Sequence, residues 1–345
     1  MSRIDSARGC RLYYSNPVQN EAAGILVRSK ISAIGQRLGF GELKREHMAL
    51  VAAEMVSNQV KYARGQGMIQ IWEQPGPVLD ILALDYGPGI PDIALAQQDG
   101  YSTANTLGKG LGSIQRLADE MHVYTRPETP AGPRKWSGTA ILARFSRGGP
   151  GPDGPGLYSR ALSDERHNGD HIYFQSDAQG TRWLHLDGLG HGPEAEQATS
   201  GLGRYLDADG DPMAVVEAVD RQLFGTRGAV AILGRIAPAE ARLQLLGVGD
   251  MHASVLRPGE PIQGYAFAPG VLGKEHKTPA PVDIALAPMS LVITATDGIR
   301  RNWDEDSFPG LFHQPPQLIA YVLGNIMGRL SDDQAVCVLR LPSRQ

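Results

Sequence analysis

The chain has 345 residues, a net charge of -4 and 6% aromatic residues. That length accommodates two domains of ordinary size, and the near-balanced charge gives no basis for an extended nucleic-acid surface. Its two cysteines, Cys10 and Cys337, show neither CxxC spacing nor histidine neighbours in a ligand pattern, and there is no apolar leader or run of 18 apolar residues. These features disfavour a structural disulfide and membrane insertion, and predict a soluble protein of a reducing cytoplasm.

In chain order, residues 10–15 read as a short strand, and Glu21 to Leu38 places Ile25, Leu26, Ile31, Ile34 and Leu38 at broadly helical spacing. A longer helix is predicted from Glu42 to Tyr62. On it Leu43, His47, Leu50, Val51, Glu54, Asn58 and Lys61 recur at steps of three or four, so Glu54 and Asn58 project together. Buried polar groups need partners, and a Mg²⁺ ion between Asn58 and nucleotide phosphates satisfies its carbonyl. Glu54, one turn earlier, is then placed to accept a proton from an attacking hydroxyl; a solvent-facing stripe is the plainer alternative.

Two strands are predicted at Met68–Glu73 and Val78–Leu84, joined by the turn Gln74-Pro75-Gly76-Pro77. The second runs into Asp85-Tyr86-Gly87-Pro88-Gly89-Ile90. A carboxylate at a strand end accepts a hydrogen bond from an exocyclic amine, while Gly87 and Gly89 let backbone approach a flat ring. Taken alone, the loop is equally a solvated turn. Further on, Gly108-Lys109-Gly110-Leu111-Gly112 opens a helix from Leu111 to Glu120, offering amide donors and a favourable dipole to phosphate, with Lys109 adding a point charge. Strands at Met121–Arg126 and Gly138–Phe145 are predicted to complete a mixed sheet backed by helices, with the Thr139 hydroxyl expected to touch phosphate.

The set Glu54-x-x-x-Asn58, Asp85-x-Gly-x-Gly89, Gly108-x-Gly-x-Gly112 and Gly138-Thr139 resembles the GHKL (Bergerat) ATPase fold of gyrase, histidine kinases and MutL. Within it, Ile90-Pro91-Asp92 and Gln98-Asp99-Gly100-Tyr101-Ser102-Thr103 resemble the small bacterial serine/threonine kinases of partner switching, and among these the RsbT type of the stressosome. That resemblance implies ATP and Mg²⁺ as ligands, Asn58 as the magnesium ligand, Asp85 on adenine and Glu54 as the base. Lys109 departs from the small or apolar residue expected there.

A Gly/Pro-rich stretch, residues 147–157, separates a first domain, residues 1–146, from a second, residues 158–345. In the second, Asp170 precedes the strand His171–Phe174, Asp187 follows Trp183–Leu186, Asp297 follows Leu291–Thr296, and Asp332-Asp333 precedes Gln334–Leu339. Each aspartate alone has an ordinary explanation in turn chemistry. Gathered, they repel unless divalent cations neutralise them, and hard oxygen donors favour Mn²⁺ or Mg²⁺ over zinc.

Helices are predicted at Glu194–Tyr205, Pro212–Phe224 and Gln317–Leu330, and strands at Ala229–Ile236, Arg242–Val248, Ser254–Leu256 and Gln263–Ala268; Gly270–Pro281 reads as a flap. Gly169-Asp170, Asp187-Gly188-Leu189-Gly190-His191-Gly192, Thr296-Asp297-Gly298 and Asp332-Asp333 resemble, in order, the landmarks of PP2C-type phosphatases of the SpoIIE and RsbX branch. The resemblance implies an α-β-β-α sandwich holding two Mn²⁺ or Mg²⁺ ions. Asp187 then bridges the metals, the Gly188 carbonyl is a further ligand, and Asp170, Asp297 and Asp332 complete the shell. Asp250 stands where that branch has asparagine, and is not expected to be a ligand.

The expectation is a two-domain α/β and α+β protein. It pairs an ATP-dependent serine/threonine kinase with a metal-dependent phosphoprotein phosphatase, both acting on STAS-domain substrates or scaffolds within sigma-factor regulation. Two alternatives remain: a phosphatase with an ATP-binding sensor or docking module, and a non-catalytic sequestering scaffold.

Overall fold

A computed structural model describes residues 10–93, 110–128, 136–148, 154–164, 166–177, 179–207 and 211–341. The sequence readings at Gly108, Lys109 and Tyr101-Ser102-Thr103 lie outside these residues. The described residues divide into two compact units, one formed by Arg11–Asp153 with Glu305–Leu318 and the other by the rest.

In the first unit, strands β1 (Arg11–Val18), β2 (Gly67–Gln74), β3 (Val78–Asp85), β4 (Glu120–Arg126) and β5 (Gly138–Ser146) form one sheet in the order β1-β2-β3-β5-β4. The sequence predicts a mixed sheet; all pairings within it are antiparallel, because hairpins connect β2 to β3 and β4 to β5 and the edge strand β1 runs against β2.

Helices α1 (Ala22–Arg37), α2 (Glu42–Tyr62) and α3 (Gly110–Leu117) cover one face. On α2 the buried stripe is Met48, Val51, Ala52, Met55, Val56 and Gln59, whereas Leu43 and Leu50 are exposed. The helical period is as predicted and its phase is rotated, since the sulfur and branched side chains at 48, 51, 55 and 56 bury more apolar surface as one face. On α1 the same rule buries Val27, Ile31 and Ile34 and leaves Ile25 and Leu26 outside.

These stripes meet Ile69, Ile71, Leu79, Ile81, Ile141 and Phe145, the alternate residues of β2, β3 and β5. Each such side chain contributes roughly 1.5–3 kcal/mol on burial. The opposite face carries Asp80, fully buried, which receives a bidentate pair of bonds at 2.8 Å from the guanidinium of Arg144 across β3 and β5.

The second unit packs two five-stranded antiparallel sheets face to face. One has the order β13-β10-β9-β8-β7, built from β7 (His171–Asp177), β8 (Gly180–Gly188), β9 (Ala229–Ala237), β10 (Arg242–Val248) and β13 (Val282–Ala285). The other, β12-β11-β14-β15-β6, uses β6 (Gly156–Arg160), β11 (His252–Leu256), β12 (Gln263–Tyr265), β14 (Leu291–Ala295) and β15 (Gln334–Arg340). Ile172, Phe174, Trp183, Ile232, Leu245, Val255, Val292 and Cys337 fill the space between.

Outside the first sheet lie α4 (Pro193–Thr199) and α5 (Pro212–Leu223), whose Ala198, Val215, Val216, Val219 and Leu223 pack on Leu184, Leu186, Ala231 and Leu246. α5 starts where predicted: the Asp211 carboxylate accepts the Met213 N–H at 3.0 Å and Pro212 occupies the first turn. Helix α6 (Pro316–Met327) backs the second sheet, with the outward-facing Tyr158 ring against Gly324.

The predicted helix Glu194–Tyr205 breaks after Thr199 into a 3-10 turn at Leu202–Asp207, and β6 and β13 have no counterpart in the sequence reading. The predicted flap is tied down: Ala229 and Leu272 exchange backbone hydrogen bonds of 3.2 and 2.9 Å, and the Gly273 N–H donates to Asp220 Oδ1 at 2.6 Å.

Candidate nucleotide and metal sites

In the first unit, α2 carries Glu54 and Asn58, both half-buried, and the Gln59 amide beside Asn58 donates to Leu84 O at 3.1 Å, near the end of β3. Asn58 touches the start of α3: a side chain added at Gly110 would stand 3.0 Å from Asn58 Oδ1, so glycine is what lets this helix N-terminus approach the amide. Gly112 follows on the first turn of α3. The N-terminal amides of α3 and the Asn58 carbonyl thus share one edge, a placement suited to phosphate and a hard cation.

Asp85 closes β3. Its Oδ1 accepts the backbone N–H of Gly87 at 2.9 Å and of Thr139 at 3.1 Å. Among the described residues its Oδ2 has no hydrogen-bond partner, which leaves an acceptor for an exocyclic amine. Burial raises the Asp85 pKa, and the two backbone hydrogen bonds oppose that rise.

Gly138 has φ +150° and lies so close that an added Cβ would stand 2.0 Å from the Asp85 carbonyl oxygen. That carbonyl accepts the Trp136 indole N–H at 3.0 Å, and the Trp136 ring stacks on Tyr124 at 5.8 Å. The loop holding Gly87 and Gly89 is tied to β4 by Ile90 N–H donating to Thr125 Oγ1 at 2.7 Å, and Thr125 also lies 3.3 Å from Thr139 Oγ1. Trp136 and Thr125 escaped the sequence reading. Their only signal is position, one just before the Gly-Thr pair and one on a register partner of Thr139.

In the second unit, four of the aspartates singled out from sequence influence one another electrostatically. Asp170 at the start of β7 is 3% exposed, and its Oδ2 has no hydrogen-bond partner. Burial holds its pKa well above the carboxylate range, with Asp187, Asp333 and Asp332 adding to the rise and a hydrogen bond from Thr296 opposing it. Asp187, near the end of β8, is pushed up to about 8 by burial first and then by Asp297, Asp332 and Asp250, against the Asp297 N–H that donates to it. Asp297 and Asp332 are raised too, each by burial first. The Gly188 N–H donates to Gly169 O at 3.2 Å, which anchors the strand end.

Asp333 has a different task. Its Oδ1 accepts Leu162 N–H and its Oδ2 accepts Gly169 N–H, both at 2.7 Å, so it binds the start of β7 to the start of β15. Arg301, unassigned by sequence reasoning, donates to the Asp250 carbonyl and lowers the Asp297 pKa. Its signal was its place four residues after Asp297.

Among the described residues no three His, Cys, Asp or Glu side chains already form a closed metal-ligand set. The donors nevertheless fit a divalent cation. A buried carboxylate oxygen without a partner and several carboxyls that hinder one another's ionisation are the electrostatic condition that bound cations relieve.

Residues 18–134 match the histidine kinase-like ATPase domain family. The serine/threonine-protein kinase RsbT of Bacillus subtilis (strain 168) is 39% identical over 89 residues, 25% of this chain and 67% of the relative. Among solved structures, a chain of the bacterial stressosome, a modular system adapted to control secondary messenger signalling, aligns with TM-score 0.49 and 26% identity over 53% of this chain and 97% of its own. The PP2C phosphatase domain with a regulatory-domain fragment of SpoIIE from Bacillus subtilis aligns with TM-score 0.45 and 16% identity over 94% and 96%. No described helix is long and apolar enough to cross a membrane. Through its N-terminal unit, with Asn58 beside the start of α3 and Asp85 at the end of β3, the chain belongs to the histidine kinase-like ATPase family, on the branch of the serine/threonine-protein kinase RsbT.

Proposed function

We propose that the chain is a bifunctional partner-switching regulator: its first unit phosphorylates serine or threonine on a STAS-domain protein using ATP, and its second hydrolyses phosphoserine or phosphothreonine with divalent metal. The observation that carries the reading is the presence, in one chain, of Asn58 against Gly110, Asp85 at the end of β3, and the carboxyls of Asp170, Asp187, Asp297 and Asp332, raised by burial first and then by neighbouring carboxyls.

In the kinase reading Asp85 accepts the adenine amine, Asn58 holds Mg²⁺ with the phosphates, and Gly110 and Gly112 offer backbone amides at the start of α3. Lys109, outside the described residues, adds positive charge to the same phosphates. Glu54, one helical turn before Asn58, accepts the hydroxyl proton of the substrate. The name of the relative RsbT, a serine/threonine-protein kinase, supports this direction of transfer.

In the phosphatase reading Asp187 and the Gly188 carbonyl hold two Mn²⁺ or Mg²⁺ ions with Asp170, Asp297 and Asp332. The ions, when bound, neutralise the phosphoryl group and acidify water for in-line attack. The chain's own groups set the rest: Asp333 holds the two strand ends in place, and Arg301, beside Asp250, limits the accumulated negative charge.

The test follows labelled phosphate on purified STAS proteins, with ATP and Mg²⁺ first and Mn²⁺ with pre-phosphorylated substrate second. Intact protein gains label on the substrate and then removes it. Asn58→Ala abolishes the gain only, and Asp187→Asn abolishes the removal only. Removal without gain, in protein that binds ATP, refutes the kinase assignment and leaves the first unit as a sensor or docking module.

A further inference from the structure

The outer face of the β7–β10 sheet holds a cavity of about 320 Å³ beside the start of α5, and none of the candidate metal-site carboxylates described above lines it. Arg182 on β8 pairs with Arg235 on β9, which in turn pairs with Gln244 on β10, so three polar side chains stand in one cross-strand row. All three line the cavity, and Leu206, Val215 and Leu246 line it with apolar surface. Arg182 precedes Asp187 by five residues on the same strand, roughly 17 Å at the usual strand rise.

Two guanidinium groups side by side across a ladder destabilise a sheet unless something neutralises them. Arg182 has a partner, Asp177 Oδ2 at 3.3 Å, in an exposed pair of small worth. Asp177 is committed chiefly to its turn, where its Oδ1 accepts Gln179 N–H at 2.7 Å and Gly180 N–H at 3.2 Å. Asp211, the acid among the described lining residues, caps α5. Gln244 donates to Asp283 at 3.3 Å. Arg235, half-buried between them, has no hydrogen-bond or ion-pair partner among the described residues. A half-buried arginine without a partner among the described residues, in the lining of a partly apolar cavity, offers its donors to an anion. Its planar fork suits phosphate or phosphonate oxygens, and the leucine and valine surface suits a compact apolar body attached to them.

We propose that this cavity binds a compact phosphorylated small molecule, with the phosphoryl group on Arg235 and Arg182 and the apolar body against Leu206, Val215 and Leu246. The site is independent of the kinase and phosphatase assignments, since it uses none of their residues.

Calorimetric titration of the full-length chain without divalent metal, using phenylphosphonate as a non-hydrolysable probe and methylphosphonate as the same anion without the ring, tests this. Saturable phenylphosphonate binding is expected, at least about tenfold weaker in Arg235→Gln, also weakened in Arg182→Gln, and unchanged in Asp187→Asn and Asn58→Ala. Tenfold corresponds to about 1.4 kcal/mol, the scale of losing one charge-assisted hydrogen bond. Methylphosphonate is expected to bind more weakly. Because a misfolded variant would also lose binding, Arg235→Lys, which keeps the charge without the fork, is expected to retain part of the affinity. Undetectable binding to the wild type, binding indifferent to both arginine substitutions, or binding abolished by Asp187→Asn overturns the site. Equal affinity for the two phosphonates overturns the apolar subsite.

Discussion

Replacing His252 with leucine should remove a large part of the acid sensitivity of the second unit. His252 opens β11, is 7% exposed, and neither ring nitrogen has a hydrogen-bond partner. Burial first, and then Arg301, lowers its pKa to about 4 from an ordinary 6.5. The unfolded chain therefore binds a proton more readily than the folded one. The contribution of neutral His252 is intact above pH 6.5 and is lost as pH falls from there through about 4. Linkage over that interval gives about 2 kcal/mol lost between pH 8 and pH 5.

Asp170 and Asp187 act in the opposite sense. Their raised folded pKa values favour the native state at low pH and penalise it as pH rises, toward about 8 for Asp187. Only the difference between wild type and variant therefore isolates the histidine. Urea unfolding of metal-free protein at pH 8 and pH 5, followed by tryptophan fluorescence, to which the core residue Trp183 contributes, should show the wild type losing about 2 kcal/mol more than His252→Leu. A gap below about 0.5 kcal/mol, the size of an ordinary surface effect, would refute the argument that this imidazole is buried neutral.

Gly138→Ala should weaken ATP binding and lower the stability of the first unit by more than about 1 kcal/mol, because its Cβ meets the Asp85 carbonyl at 2.0 Å and φ is +150°. Titration with a fluorescent ATP analogue and a melting curve read the two effects, and unchanged affinity would contradict the close approach. Asp187→Asn should raise the melting temperature of metal-free protein, more at pH 8 than at pH 5, while hydrolysis is lost, since it removes a carboxylate that its neighbours oppose. Asp333→Asn should instead destabilise by about 1.5–3 kcal/mol, because it weakens two charge-assisted backbone bonds. Chelation of a metal-loaded sample should lower the melting temperature at pH 8 in wild type and leave Asp187→Asn little changed.

Much of this protein is written locally. The apolar runs of β3, β8, β14 and β15 and the cap at Asp211 depend on short-range pattern and turn chemistry, so they are legible in the residues themselves. The aspartates beside strand ends belong to the same class, because aspartate is a favoured residue where a strand meets a turn.

What packing decided is of another kind. Which face of α2 is buried follows from the sheet it meets, so Leu43 and Leu50 turn outward although their spacing is helical. Asp332 and Asp333 are adjacent and chemically identical, yet one faces the carboxylate cluster and the other fastens two strand ends, a division set by distant backbone amides. Arg182 and Arg235 lie 53 positions apart, and only strand register makes them neighbours. Short-range pattern determines the elements and the kinds of chemistry available. Long-range pairing determines which side chains meet, because burial and charge are properties of neighbours that the chain supplies from afar.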